Sequence, residues 1–230
     1  MNIAIIVAAG SGQRFGSTRP KQFTELLGKP LLIHTLEKFE LCPEIDEIVL
    51  VLSDDGRSEF EQIEARISIS KLRQIVTGGK TRAESVRNGL DAIDAVTADI
   101  VAVHDGARPL VSVDEITRTV GAAVEFGAAC LVAEVTDTIK EIVDQHIGRT
   151  IDRTILGRAL TPQAFRYELL VQAFDGADLS KAITDECSLV EKMSHPIAVV
   201  QGSQRNIKIT LFEDVILAEA VMRQAENNQE

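Results

Sequence analysis

The stretch IAIIVAAGSGQRFGSTRPKQF, Ile3 to Phe23, passes without a break from an apolar run into a loop of Gly, Ser, Arg and Lys. Continuous apolar residues of β-rich type read as a strand covered on both faces, the mark of a parallel sheet flanked by helices. The loop at its tip fits neither common glycine fingerprint. Gly10-x-Gly12 is followed by Gly16, one position late for G-x-G-x-x-G. The next predicted strand begins near Glu47, well past the interval of about 20 residues at which a dinucleotide fold carries its acidic residue. No Gly-Lys-Ser/Thr closes a Walker loop. What remains is a loop of small residues whose N–H groups can approach phosphates closely, with Arg14 inside it and Lys21 soon after. Cations so placed suit a polyphosphate that gains negative charge on a leaving group.

Working outward, short β-rich runs alternate with helical periodicities for most of the 230 residues. Strands are expected at Ile3–Val7, Glu47–Ser53, Gln74–Val76 and Asp99–Val103, and again in ACLVAEV and PIAVV. Helix stripes fall on Leu32, Leu36 and Phe39, on Phe60, Ile63 and Ile67, on Ala83, Val86, Leu90 and Ile93, and on Ile116, Val120 and Val124. Further helices are expected at Phe165–Phe174 and Asp185–Met193. Thr210-x-x-Glu213 has the spacing of a capping box opening a C-terminal helix to about Met222. The rhythm breaks between Thr136 and Leu160, which reads as an extended β-arm with Gly148 as its turn. The expected fold class is therefore α/β, a doubly wound, mostly parallel open sheet, with residues 1–230 as one domain and a protruding arm at about 136–160.

Composition narrows the function. Lys plus Arg number 24 against 35 Asp plus Glu, a net charge of -11, which argues against a nucleic-acid partner but permits a small anion held by local cations. Cys42, Cys130 and Cys187 are odd in number and lack C-x-x-C spacing, so neither a disulfide framework nor a zinc site is expected. His34, His146 and His195 form no metal-ligand spacing either. No leader or membrane segment is read, and the expected location is the cytoplasm.

Three predicted strands end in unusual loops, Gly10 to Lys21, Gly78 to Arg82 and His104 to Pro109. In a doubly wound sheet these share one rim, where ligands bind. AAGSGQRFGSTRPKQF resembles the A-A-G-x-G-x-R…P-K-Q signature of nucleotidyltransferases acting on sugar or polyol phosphates. With GGKTRAESVRNGL, VHDGARP, TDTIK, IDRT, ALTPQAF, ITDE and NIKIT following in order, the chain is identified as similar to the 2-C-methyl-D-erythritol 4-phosphate cytidylyltransferases of the non-mevalonate isoprenoid pathway, over nearly its whole length. Val7 and Gly106 depart from the commoner Pro or Ala and Ala, with small geometric effects expected at positions that contribute mainly backbone.

The resemblance implies a Rossmann-like nucleotidyltransferase fold and the reaction of CTP with the polyol phosphate to give the CDP-alcohol and pyrophosphate, with Mg²⁺. It implies transition-state stabilisation by Arg14 and Lys21, and positioning of the acceptor phosphate by Arg153 and Lys208. Cytosine and nucleotide contacts are expected from Ala8, Ala9, Gly10, Gly79, Ser85 and Ala107. Asp105 and Arg108 would meet the metal, ribose or polyol, with Asp105 the candidate metal ligand. Thr138, Thr161 and Thr184 would contact polyol or phosphate. The arm would embrace a second copy in a homodimer, so that Thr138 and Arg153 enter the partner's site.

Pattern alone gives plainer readings of several of these. Lys208, between Ile207 and Ile209, is the solvent-facing residue of a half-buried strand. Asp105 before Gly106 is a turn residue, Ser85 lies on a helix's polar face, Arg153 is exposed on a polar arm, and His104 is structural. The rival functions are a ribitol 5-phosphate cytidylyltransferase with very similar motifs, a nucleotide sensor without turnover, and a nicotinamide-linked dehydrogenase already weakened by the failed glycine spacing.

Overall fold

The computed structural model describes residues 1–10, 20–64, 67–179 and 181–227. In chain order its elements are β1 (Asn2–Ala8), β2 (Glu25–Leu26), β3 (Lys29–Pro30), α1 (Leu31–Leu41), β4 (Glu47–Leu52), α2 (Asp54–Glu64), β5 (Leu72–Thr77), α3 (Arg82–Asp91), β6 (Ile100–Asp105), α4 (Val113–Phe126) and β7 (Ala128–Glu134). They continue with β8 (Ile139–Val143), β9 (His146–Ile151), β10 (Gly157–Arg166), α5 (Tyr167–Asp175), α6 (Cys187–Glu191), β11 (Ala198–Gln201) and α7 (Phe212–Asn227).

A seven-stranded sheet in the order β11-β7-β10-β6-β1-β4-β5 forms the centre. All its neighbouring pairs are parallel except those made by β10, which runs antiparallel to both β6 and β7. The period of two decides which helix each strand residue meets. Ala4, Ile6 and Ala8 of β1 join a core with Leu36 of α1, Phe60 of α2 and Ile116 and Val120 of α4. Ile3 and Ile5 join the opposite core with Val86 and Leu90 of α3 and Leu170 and Phe174 of α5. Helices therefore cover both faces, and β1 is apolar from Ile3 to Ala8 because both of its sides face a core. A third, smaller cluster packs α7 through Val215 and Ala218 onto Leu26, Leu31 and Ala107. Cys42, Cys130 and Cys187 are free and buried. Among the described residues no helix is long and apolar enough to cross a membrane.

Several local expectations are corrected. Phe165 lies in β10, and the helix expected from it begins at Tyr167. Ala164 and Phe165 face opposite cores, which is a strand's geometry. The strand was hidden by Pro162, which a central strand disfavours; a register irregularity between Ala159 and Gln163 accommodates it. Residues 206–210 form no strand. The helix expected at Asp185–Met193 is confined to Cys187–Glu191, and α7 extends past Met222 to Asn227. Its start is held by Asp214, whose Oδ2 accepts from Thr210 N at 2.7 Å, Thr210 Oγ1 at 2.8 Å and Leu211 N at 2.8 Å, so Asp214 does the work expected of Glu213. The arm is a separate two-stranded sheet of β8 and β9. It turns at Asp144 and Gln145, with φ of 47° and 66°, as a tight hairpin turn requires. Gly148 sits within β9, and residues 157–160 already belong to the central sheet.

Candidate active site

Register puts the carboxyl ends of four parallel strands on one level: Val7 stands opposite Asp105, Ala8 opposite Leu52, and Leu52 opposite Thr77. Gly10 and Lys21, at the described ends of the loop after β1, thus converge with the loops that follow β5 and β6, as their sequences suggested. They enclose a cavity of about 450 Å³ whose lining includes Ala8, Ala9, Gly10, Lys21, Gly79 and Ser85. A second cavity of about 320 Å³ is lined by Arg108, Leu160, Thr161, Gln163, Thr184 and Asp185. Arg82, Asp105 and Lys208 line both, so these three form the wall between them.

The first cavity's backbone is shaped by close contacts. At Gly78 an added Cβ would lie 2.2 Å from Ala9 Cβ, and at Gly79 it would lie 2.3 Å from Glu84 Cβ; only glycine lets the β5 loop pass so near β1 and α3. Thr81 caps α3 in a reciprocal capping box with Glu84, and Glu84 Oε2 also accepts from Lys80 N at 2.6 Å. The Ser85 hydroxyl donates to Thr81 O at 2.9 Å and accepts from Gly79 N at 3.1 Å. Ser85 is therefore at the cavity wall, with its proton engaged in fixing the glycine turn. Gln22 is buried and donates to Ala8 O at 2.7 Å, tying the loop after β1 back onto the strand end. Gly106, beside this edge, leaves room that an alanine would lack: a Cβ there would stand 2.9 Å from Ala8 Cβ.

Asp105 carries the electrostatics of the dividing wall. Its Oδ1 accepts from Arg82 Nε at 2.9 Å, and its Oδ2 meets Lys208 Nζ at 2.9 Å and Arg108 Nε at 3.3 Å. Burial opposes its charge, but Arg82, then Lys208 and Arg108, override that and hold the carboxyl well below the usual carboxylate range. Burial also opposes the charge of Arg82, yet Glu186 and Asp105 raise its pKa above the ordinary guanidinium value. Lys208 is placed by the chain on either side of it. Arg108 Nη1 donates to Asn206 O at 2.8 Å, Ile209 N to Ala107 O at 2.8 Å, and Lys21 Nζ to Ile209 O at 2.9 Å. The segment needs no strand partner because the β6 loop and Lys21 supply its hydrogen bonds.

Behind this wall, Asp105 N donates to Thr161 Oγ1 at 3.1 Å, and Thr161 Oγ1 lies 3.0 Å from His104 Nδ1. The other ring nitrogen, Nε2, lies 3.2 Å from Arg108 O, which can only accept. A neutral ring with its proton on Nε2 satisfies both contacts, and Thr161 then donates to Nδ1. Burial accordingly lowers the His104 pKa to about 3. Asn206 Nδ2 closes the set by donating to Thr161 O at 3.0 Å.

Of the residues singled out in the sequence, Ala8, Ala9, Gly10, Lys21, Gly79, Ser85, Asp105, Ala107, Arg108, Thr161, Thr184 and Lys208 meet around the two cavities. Arg14 lies outside the described residues. Thr138 and Arg153 are exposed and line neither cavity of their own chain; Arg153 Nη1 donates to Thr136 O at the base of the arm. Sequence reading passed over Arg82, Gln22 and Glu186. Arg82 carried a usable signal, since a cation at the first position of a helix opposes the macrodipole and needs a local reason. Gln22 lay within the P-K-Q signature and Glu186 closed the ITDE motif, but neither motif by itself assigned these side chains a role.

The rim thus places cations on both sides of one carboxylate. The family model IspD, 2-C-methyl-D-erythritol 4-phosphate cytidylyltransferase, matches residues 2–224. The enzyme of that name from Geobacillus kaustophilus is 43% identical over 220 residues, covering 95% of this chain and 96% of its own. That from Syntrophus aciditrophicus is 42% identical over 227 residues, covering 97% of each. The crystal structure of 4-diphosphocytidyl-2C-methyl-D-erythritol synthase from Anaerococcus prevotii superposes with a TM-score of 0.85 at 32% identity, covering 97% of this chain and 96% of that one. With a family match along almost its whole length, the chain belongs to the 2-C-methyl-D-erythritol 4-phosphate cytidylyltransferase family.

Proposed function

We propose that the two cavities carry the family's reaction, transfer of CMP from CTP to 2-C-methyl-D-erythritol 4-phosphate with release of pyrophosphate. The observation that carries this reading is the wall of Arg82, Asp105 and Lys208 between two cavities, since the reaction must bring two anionic substrates together at one phosphorus. The acceptor phosphate is already an anion, so no strong general base is needed; positioning and fixed cations meet the main requirements. The nucleotide occupies the first cavity, its base against Ala8, Ala9, Gly10, Gly79, Ser85 and Ala107. Lys21 faces the triphosphate and stabilises charge that grows on the α-phosphoryl and leaving oxygens, a role the family resemblance extends to Arg14. The polyol phosphate occupies the second cavity, against Arg108, Thr161 and Thr184, with Lys208 guiding its phosphate.

The family's nucleotidyl transfer calls for a divalent cation, and Mg²⁺ is the ion proposed. Asp105 fits it: one carboxylate at the phosphate crossing is the protein share that Mg²⁺ usually takes, the remaining ligands being phosphates and water. Asp105 would hold the ion, which would neutralise phosphate charge, and Lys208 would be free to turn from the carboxylate to the phosphate.

The arm presents Ile142, Val143 and Ile147 on a two-stranded sheet that stands poorly alone, and Ile155 in the helical turn after it, each more than half exposed. A second copy covering them in a homodimer accounts for this exposure, and brings Thr138 and Arg153 to the partner's second cavity. Incubation with CTP, Mg²⁺ and either 2-C-methyl-D-erythritol 4-phosphate or ribitol 5-phosphate tests the reading. Pyrophosphate is expected with the first acceptor; faster release with ribitol 5-phosphate, or none with either, would refute it.

A further inference from the structure

Glu186 immediately precedes α6 and is fully buried, a place where a carboxylate is found only with a partner. Its partner is Arg82, which gives it Nη1 at 2.6 Å and Nη2 at 3.0 Å in the two-pronged geometry of a strong charge-assisted pair. The third nitrogen, Nε, is the one that reaches Asp105 Oδ1. Arg82 therefore lines both cavities with each of its nitrogens engaged by a carboxylate. The far end of the clamp is itself fixed. Cys187 N, next in the chain, donates to Gln163 Oε1 at 3.1 Å, and Gln163 Nε2 donates to Asp185 Oδ2 at 2.9 Å, so both neighbours of Glu186 are tied to β10 in the middle of the sheet.

We infer that Glu186 is a positioning residue for the transfer reaction, acting through Arg82 to fix the Asp105 carboxylate between the two cavities. The inference rests on the cytidylyltransferase reading above. With one edge clamped by Glu186, the planar guanidinium cannot turn, so its Nε holds Oδ1 in one orientation. Oδ2 is then the oxygen left for exchange between Lys208 and incoming ligands, because Lys208 is the most exposed of the three cations on Asp105. Glu186 also occupies the charge of Arg82, which would otherwise be free to capture a phosphate and leave Asp105 unheld. A bare structural pair would need only the Arg82–Glu186 contact; the Nε bond to Asp105 extends it to the site.

Single-turnover kinetics of the full chain, at enzyme concentrations high enough to keep slow variants readable, provide the test. Glu186→Gln is expected to slow the transfer step by about tenfold or more, as a small misplacement near the reacting groups does. Half-saturating concentrations of CTP and acceptor should change by less than about threefold. In an Asp105→Asn background the same substitution should cost less than about threefold, because no carboxylate remains to be positioned. Should Glu186→Gln fail to fold, the doubly neutral Arg82→Met, Glu186→Gln variant leaves no unpaired buried charge and carries the same comparison. Equal losses in both backgrounds, or no loss in either, would overturn the inference. A wild-type chain that releases no pyrophosphate would instead remove the reading beneath it.

Discussion

At the scale of single residues, Lys21 has two tasks that can be separated. It lines the first cavity and donates to Ile209 O, which joins the end of the first loop to the segment bearing Lys208. Lys21→Ala is expected to lower kcat by about 10² or more, the cost typical of removing one donor to a developing anion, with a smaller change in the KM for CTP. An unchanged kcat with a raised KM would make Lys21 a uniform binder. His104 offers a prediction of another kind. Burial keeps it neutral with a pKa of about 3, whereas an unfolded histidine protonates near pH 6.5. Below that pH the unfolded chain binds a proton that the native chain refuses, so stability falls as pH drops through this window. The loss is up to about 1.4 kcal/mol per pH unit from this residue. His34, also lowered by burial, acts in the same direction. Asp105, with its depressed pKa, loses its contribution only at lower pH, as unfolded carboxylates protonate near about pH 4. Urea unfolding of His104→Gln between about pH 6.5 and 4.5 should therefore show a flatter pH dependence than the parent chain; an unchanged slope would exclude His104 as the responding group.

At the scale of elements, the chemistry depends on how helices and loops begin. The cap of α3 organises Gly79, Lys80 and Ser85 in one turn of backbone, so the same hydrogen bonds that start the helix shape the first cavity. The start of α7 works similarly at a distance. Asp214 gathers Thr210 and Leu211, directly after the Ile209 carbonyl that receives Lys21. Asp214→Ala is expected to cost about 1 kcal/mol of stability, the usual loss on removing a helix cap, read as a lowered thermal midpoint. It should also raise the KM for the acceptor by loosening Lys208. A thermal midpoint equal to the parent's would show that the cap is redundant. The two elements least legible in the sequence were β10 and the extended segment at 206–210. In β10 a proline masked a central strand, and at 206–210 a period of two imitated one although the hydrogen bonds go to loops and a lysine.

At the scale of the whole molecule, a chain of net charge -11 concentrates cations at one rim, which is how an acidic protein can still receive two phosphorylated substrates. The exposed arm extends the question to two copies. If Arg153 serves the partner's site, mixing Lys21→Ala with Arg153→Ala chains after gentle dissociation should restore about a quarter of wild-type activity, since half the re-formed dimers are mixed and each has one intact site. No recovery despite exchanged subunits, shown by mass of the mixed dimers, would confine Arg153 to its own chain. The sequence by itself determined the alternation of strands and helices, the two-faced burial of β1 and the three loops at one rim, because period and turn chemistry are local properties. It also marked most of the residues around the cavities, since their motifs follow the strands that carry them. Only the tertiary structure decided the antiparallel insertion of β10, the tautomer of His104 and the Glu186–Arg82–Asp105 clamp. Each of these depends on groups far apart in the chain, such as Arg82 and Glu186 at a separation of 104 residues; burial forces such groups to find partners, and no local pattern records which partner they find.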